Sequence, residues 1–222
     1  MELKELLKAS PYFAGLDTAE IDFVSQFMFE KSFAKGESIV WEEDSSQSLY
    51  FVASGAVKCF KTSEEGKEQI IQIVLPGQSF NDIAVFDGGP SPTSSEAMSA
   101  VKIYGITKRD MEKALERHPK ITKNVVTVLS ERIRHLLDLV EDLSFRHVIN
   151  RIARVLLEYA SDPTTTKPKL TQQEIAALAG TAREVVGRSL KTLQEEGLIR
   201  MERNRLVIAD KTTLQQMASS VG

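Results

Sequence analysis

The stretch from Leu170 to Gly197, LTQQEIAALAGTAREVVGRSLKTLQEEG, leaves a chain little freedom in how it folds. Thr171 with Glu174, and Thr181 with Glu184, are two capping boxes, each able to start a helix. Ala179-Gly180 falls between them as a hinge, and Gly197 stands where a glycine ends the second helix. Ile175 and Leu178 share a face of the first helix. Val186, Leu190 and Leu193 repeat at 3–4 spacing on the second and can pack against them. Arg183, Glu184, Gly187, Arg188 and Lys191 are left facing outward. Forked guanidiniums beside one carboxylate suit the edges of DNA bases, because Arg bonds guanine O6 and N7 together and Glu accepts from cytosine N4. Gly187 places no side chain between them. The bland alternative is a solvated face with an i,i+4 pair from Glu184 to Arg188. Two caps and a glycine turn together favour helix-turn-helix recognition.

The segment after Gly197 supports that reading. LIRMERNRLVIAD predicts a hairpin with strands at Leu198-Ile199 and Leu206-Val207-Ile208 and its turn at Arg203-Asn204. Helix-turn-helix plus hairpin is a winged helix. Arg203 and Arg205 on the wing are placed to touch phosphate, which positions a protein without specifying sequence. The segment TAREVVGRSLKTLQEEGLI resembles the recognition helix of the CRP/FNR regulators, whose CRP-type version carries R-E-x-V-G-R; those residues here are Arg183, Glu184, Val186, Gly187 and Arg188. The resemblance extends over nearly the whole chain. It implies contacts to double-stranded DNA from Thr171, Gln173, Thr181, Arg183, Glu184, Gly187, Arg188, Lys191 and Arg203. It also implies a homodimer that works with RNA polymerase, as an activator or a repressor.

Upstream, the pattern is different. Leu3, Leu6 and Leu7 make a short helical face, and Asp17 with Glu20 caps a helix expected to run to Phe29. From Phe33 to Ile106, short runs (SIVW, SLYFV, AVKCFK, QIIQIV, AVKIYGI) alternate with glycine turns, the mark of a β-sandwich or barrel. LYFVASGAVK and, after it, EEGKEQIIQIVLPGQSF resemble the cyclic-nucleotide-binding jelly roll of the same family. A long helix is predicted from Pro119 to Phe145. Val126, Leu129, Ile133, Leu136, Val140 and Leu143 form a heptad seam on it, expected to pair with a second copy. Residues 146–160 predict another amphipathic helix, with Ile149, Ile152, Ala153, Leu156 and Leu157 as its stripe; SDPTTTKP after it reads as a polar loop. The expected class is α+β: a cyclic-nucleotide-binding-like β jelly roll over 1–117, a dimerisation helix over 118–145 and a winged helix-turn-helix over 146–222.

In cyclic-AMP-binding relatives, the resemblance implies, a cassette supplies Gly-Glu for the ribose, an arginine and a hydroxyl for the phosphate, and a Thr-Ser pair for adenine. Here Asn81 and Asp82 replace Gly-Glu, Pro92 and Thr93 stand at the phosphate positions, and Leu136-Leu137 replace the pair. A buried phosphate lacks its charged partner, so cyclic AMP is disfavoured. The expected site is instead an apolar cavity, open to a ligand or filled by the chain's own side chains, near Phe80, Asn81, Asp82, Ile83, Pro92, Thr93, Leu136 and Leu137. The pattern Phe80, Ile83, Phe86 and the phrase VEDLSFRHVINRIARVLLE resemble the Dnr/NnrR nitric-oxide branch more loosely, which makes haem a candidate cofactor. His118, His135, His147 and Cys59 are the available axial ligands, though each also reads as a structural or exposed residue.

Composition narrows the function further. The lone Cys59 cannot hold an iron–sulfur cluster, forms no internal disulfide and fits a reducing compartment. No zinc spacing, P-loop, dinucleotide fingerprint or Ser-His-Asp set occurs, so neither a metal nor an enzyme is expected. No membrane-spanning run or signal peptide is present, and a cytoplasmic protein is expected. Net charge is −3, but Arg183, Arg188, Lys191, Arg200, Arg203 and Arg205 crowd the C-terminal part. The resemblance of Arg183, Glu184 and Arg188 to the CRP set implies a dimeric regulator of TGTGA-like inverted repeats, controlled by haem or nitric oxide, by a small apolar ligand, or by no effector. The alternative is a non-enzymatic ligand-binding regulatory subunit acting through a protein partner.

Overall fold

The computed structural model describes residues 1–45, 47–159, 168–202 and 205–220. The chain divides into two compact units: Met1–Lys61 with Gln72–His135, and Thr62–Ile71 with Leu136–Gly222.

In the first unit α1 (Leu3–Ala9) buries Leu6 and Leu7, and a single 3₁₀ turn (Pro11–Phe13) buries Tyr12 and Phe13. Helix α2 (Thr18–Ser25) starts at the expected box: Asp17 accepts from Glu20 N at 2.9 Å, and Glu20 accepts from Asp17 N at 2.8 Å. The helix was expected to reach Phe29 and stops at Ser25 instead. Phe29 opens strand β1 (Phe29–Phe33), which pairs antiparallel with β8 (Val101–Thr107). Phe29 stands opposite Gly105 and its ring covers the place a Cβ would occupy, so tertiary pairing overrides the local helical pattern.

Strands β2 (Ser38–Val40), β3 (Ser48–Ser54), β4 (Val57–Thr62), β5 (Glu68–Val74), β6 (Ser79–Phe80) and β7 (Ser94–Ala97) complete two four-stranded sheets, ordered β1-β8-β3-β6 and β2-β7-β4-β5. Val40, Tyr50, Val52, Val57, Cys59, Val74, Phe80, Ala97 and Ile103 form the core they share. Strand β3 is buried on both faces: Tyr50 and Val52 join this core, while Leu49, Phe51 and Ala53 join a second core built with the helices. Successive side chains of a strand point to opposite faces, so β3 reads as a continuous apolar run. Helix α3 (Asp82–Asp87) lies in the cassette, and α4 (Lys108–Arg117) comes directly after β8. Helix α5 spans Pro119–Phe145, and Ile121, Val125, Val128 and Leu129 pack into the second core.

The second unit holds the end of α5, α6 (Val148–Tyr159), α7 (Gln172–Ala179), α8 (Arg183–Glu195), the hairpin β9 (Ile199–Glu202) and β10 (Arg205–Ile208), and α9 (Lys211–Ser219). Ile152, Ala153 and Leu156 of α6 pack with Ile175, Val186, Leu193, Leu198 and Leu214. Among the described residues, no helix is long and apolar enough to cross a membrane.

Candidate nucleic-acid interface and effector cassette

Helix α7 begins at Thr171 with both bonds of its capping box: Thr171 Oγ1 accepts from Glu174 N at 3.2 Å, and Glu174 Oε2 accepts from Thr171 N at 2.6 Å. Gly180 ends the helix at φ 62°, a left-handed conformation in which a glycine avoids the Cβ penalty. The second expected box does not form. Thr181 N donates to Ala176 O at 3.0 Å, so Thr181 still belongs to the end of α7. The N-cap of α8 is therefore Ala182, whose side chain offers no acceptor. At its far end Gly197 N donates to Gln194 O and Leu198 N to Leu193 O, the paired bonds of a Schellman motif. Val186 and Leu193 are fully buried and Leu190 half-buried, which fixes the rotation of α8.

That rotation leaves Arg183, Glu184, Arg188 and Lys191 exposed on one face. Among the described residues, no hydrogen bond or ion pair engages the side chains of Arg183, Glu184 or Arg188. The nearest atom to a Cβ built on Gly187 would be Gln172 Oε1 at 3.9 Å, so the helix surface there is open. Lys191 pairs with Glu195 at 3.7 Å, an exposed contact of small worth. Thr171 and Gln173 are exposed at the start of α7, and Thr181 is half-buried. Arg203 and the side chain of Arg205 lie outside the described residues, as does 161–167 of the expected polar loop.

The cassette is occupied by the chain's own side chains, and these are charged and polar where an apolar lining was expected. Asn81 adopts φ 62°, a left-handed conformation that asparagine tolerates better than most residues. Asp82 is the first residue of α3 and is 3% exposed. Its Oδ2 accepts from the Tyr12 hydroxyl at 2.6 Å and pairs with Arg132 Nε at 2.5 Å, and its Oδ1 accepts from Ile83 N at 3.1 Å. Arg132 Nη1 donates to Gln72 Oε1 at 3.1 Å, and Nη2 donates to Ser79 O at 2.7 Å and Ser79 Oγ at 3.1 Å. The site is a filled, charged cluster. Tyr12 is fully buried against Phe51 and Phe86; burial first, then the charge of Asp82, holds its phenol proton well above the usual range.

Of the residues expected to line the cavity, Asp82 is central, while Asn81 stands just before α3 without a side-chain cap bond and donates its amide to Ser48 O at 3.0 Å. Phe80 stacks on Tyr50 in the inter-sheet core, and the Ile83 side chain is exposed. Pro92 and Thr93 are half-buried, with Thr93 O accepting from Ser91 Oγ. Leu136 and Leu137 are 41% and 63% exposed. Tyr12, Gln72, Ser79 and Arg132 were not anticipated. A signal for Arg132 existed: Ile121, Val125, Val128 and Arg132 are spaced 4-3-4, which puts an arginine in register with a buried stripe. Of the haem-ligand candidates, His118 Nδ1 lies 3.3 Å from Glu20 Oε1 with its ring edge-on to Phe23, and burial pushes the Cys59 thiol up to about 12. His135 and His147 are exposed.

The cyclic nucleotide-binding domain family matches residues 30–118, and the Crp-like helix-turn-helix domain family matches residues 150–217. The chain is 32% identical to the cyclic AMP receptor protein of Thermus thermophilus over 96% of its own length and 98% of that protein's. The chain belongs to the CRP/FNR family of transcription regulators. This CRP/FNR protein is also 27% identical to the CRP-like cAMP-activated global transcriptional regulator of Mycobacterium tuberculosis, covering 97% of this chain and all of that one. The solved CRP-family regulator TTHB099 of Thermus thermophilus superposes with a TM-score of 0.70 at 28% identity, over 86% of this chain and 97% of that one. The protein is thus a DNA-binding transcription regulator whose relatives are regulators, a non-enzymatic family. The alternative of a regulatory subunit that acts only through a protein partner gives way to this assignment.

Proposed function

We propose that the protein is a dimeric activator or repressor that reads TGTGA-like inverted repeats without cyclic AMP. The carrying observation is the outward face of α8, where Arg183, Glu184 and Arg188 stand exposed and uncommitted around an open Gly187. Arginines to guanine and a glutamate to cytosine match the two guanines of such a half-site and the cytosines paired with them. Dimerisation is supported by α5: Val126, Ile133 and Val140 are each about 60% exposed, and Leu136 and Leu143 about 40%, an unusual apolar stripe for a surface helix. Leu129, the remaining seam position, is half-buried against its own core. Recruitment of RNA polymerase rests on the family resemblance alone. Selection from random duplexes should return paired half-sites with centres about 34–36 Å apart. Arg188→Ala should cost about 1–3 kcal/mol and relax one guanine; a selected motif with no guanine there would sink the assignment.

The cassette supports control without a nucleotide. A cyclic phosphate needs a cationic partner, and Arg132, the guanidinium held at the cassette, has all three nitrogens committed to Asp82, Gln72 and Ser79. The polar cluster gives equally little welcome to a small apolar ligand. The purified protein should therefore bind its operator at full affinity with nothing added. Micromolar binding of cyclic AMP that strengthens DNA affinity would overturn this.

A further inference from the structure

The junction of α5 and α6 carries a group of charges that DNA contact and the cassette leave unexplained. Asp142, in the last turn of α5, has a side chain only 16% exposed. Its Oδ1 accepts from Arg146 Nε at 2.6 Å. Arg154 Nη1 reaches both of its oxygens, at 2.6 and 2.8 Å. Arg146 also donates from Nη1 to Ala218 O at 2.9 Å, at the end of α9. Arg151 then bridges the two sides: Nη1 donates to Arg146 O at 2.8 Å and Nε to Ala179 O at 2.7 Å. Ala179 ends α7 one residue before the turn into the recognition helix. Leu143 packs against Gly180 in that turn so closely that any Cβ there would collide with it. The last turn of α5 is thus joined to the helix-turn-helix by one carboxylate, three arginines and one leucine contact.

We propose that Asp142 is a positioning residue for operator recognition. By holding Arg146 and Arg154 together it locks the elbow between α5 and α6, and so fixes the direction of α8 relative to the end of α5. The proposal rests on the dimeric reading above: two recognition helices keep one spacing only if each is rigid on the helix that joins them. Asp142 touches no DNA in this scheme, so its loss should leave recognition of one half-site intact and damage only the coordination of two.

The test uses the full-length protein and three kinds of duplex at one salt concentration: a single half-site, a correctly spaced inverted repeat, and repeats with the spacing changed by one or two base pairs. Wild type should bind the correct repeat far more tightly than the half-site and reject the altered spacings. Asp142→Ala should keep half-site affinity within about twofold, lose about tenfold or more on the correct repeat, and bind the altered spacings almost equally. Asp142→Glu should restore much of the spacing preference. If Asp142→Ala fails to fold, Arg154→Gln removes a partner that is 45% exposed and supports the same comparison. An unchanged spacing preference, or equal losses on half-site and repeat, would overturn the proposal. If wild type itself gained nothing from a second half-site, the dimeric reading would fall first, and the wild-type data alone would show it.

Discussion

Arg132→Met isolates the value of the cluster at the cassette. Methionine keeps much of the unbranched stem and removes the guanidinium. Asp82, 3% exposed, then retains Tyr12 and the Ile83 amide but loses its countercharge. Breaking a buried pair by removing one partner costs about 3–5 kcal/mol. Arg132 is 22% exposed, and Gln72 and Ser79 are half-buried and reachable by water, so the low end applies, about 3 kcal/mol. Asp82→Asn alone should also destabilise, because the amide leaves Arg132 uncompensated. The double variant removes both charges and keeps an acceptor for Tyr12, so it should lie within about 1.5 kcal/mol of wild type. Urea titrations monitored by far-UV circular dichroism, at one protein concentration, measure all four proteins. A loss below about 1 kcal/mol for Arg132→Met, or a double variant no better than the worse single one, would refute the cluster as a mutually dependent unit.

Other consequences are more local. Ala182→Ser supplies the acceptor that the N-cap of α8 lacks and should stabilise the second unit by about 0.5–2 kcal/mol, read by thermal unfolding. Tyr12 binds its proton more tightly folded than unfolded, so its contribution is complete below the ordinary phenol value near 10 and is lost as pH rises beyond it. Tyr12→Phe should be less stable at neutral pH by about 1.5–3 kcal/mol yet show a shallower decline above pH 10, measured by urea titration across that range. Ile133→Asp, at a position 58% exposed in the single chain, should leave protomer stability within about 0.5 kcal/mol and yield a monomer on sedimentation. A mutant that stayed dimeric would place the interface elsewhere.

Features carried by local chemistry could be read from the sequence. The capping boxes at Asp17 and Thr171, the glycines at 180 and 197, and the limits of α5 at Pro119 and Phe145 are all where spacing and turn chemistry put them. Features set by partners distant in sequence could not be read. Strand β1 exists because β8 is beside it. Strand β7 buries both Ser94 and Ser95, on opposite faces, and β6 is two residues long, so neither shows an apolar periodicity to detect. The N-cap of α8 moved by one residue because the preceding helix claims the Thr181 amide. At the cassette, comparison with the family pointed to what Asn81, Pro92, Leu136 and Leu137 had lost. The gain, an arginine arriving from α5 fifty residues beyond Asp82, lay outside the motif being compared.

The Schellman end of α8 has a consequence for how length can vary in this region. Leu198 donates its amide to Leu193 O, and its carbonyl accepts from both Ala209 N at 2.9 Å and Asp210 N at 3.2 Å. One residue thereby joins the end of the recognition helix, the base of the wing and the start of α9. Residues added between the paired Glu202 and Arg205 would lengthen the hairpin tip and leave those three bonds in place. A single residue added between Glu196 and Leu198 would shift the helix end against the wing base and turn the alternating faces of β9 over. The hairpin can therefore take added residues beyond the Glu202–Arg205 pair, while its root has to keep its length.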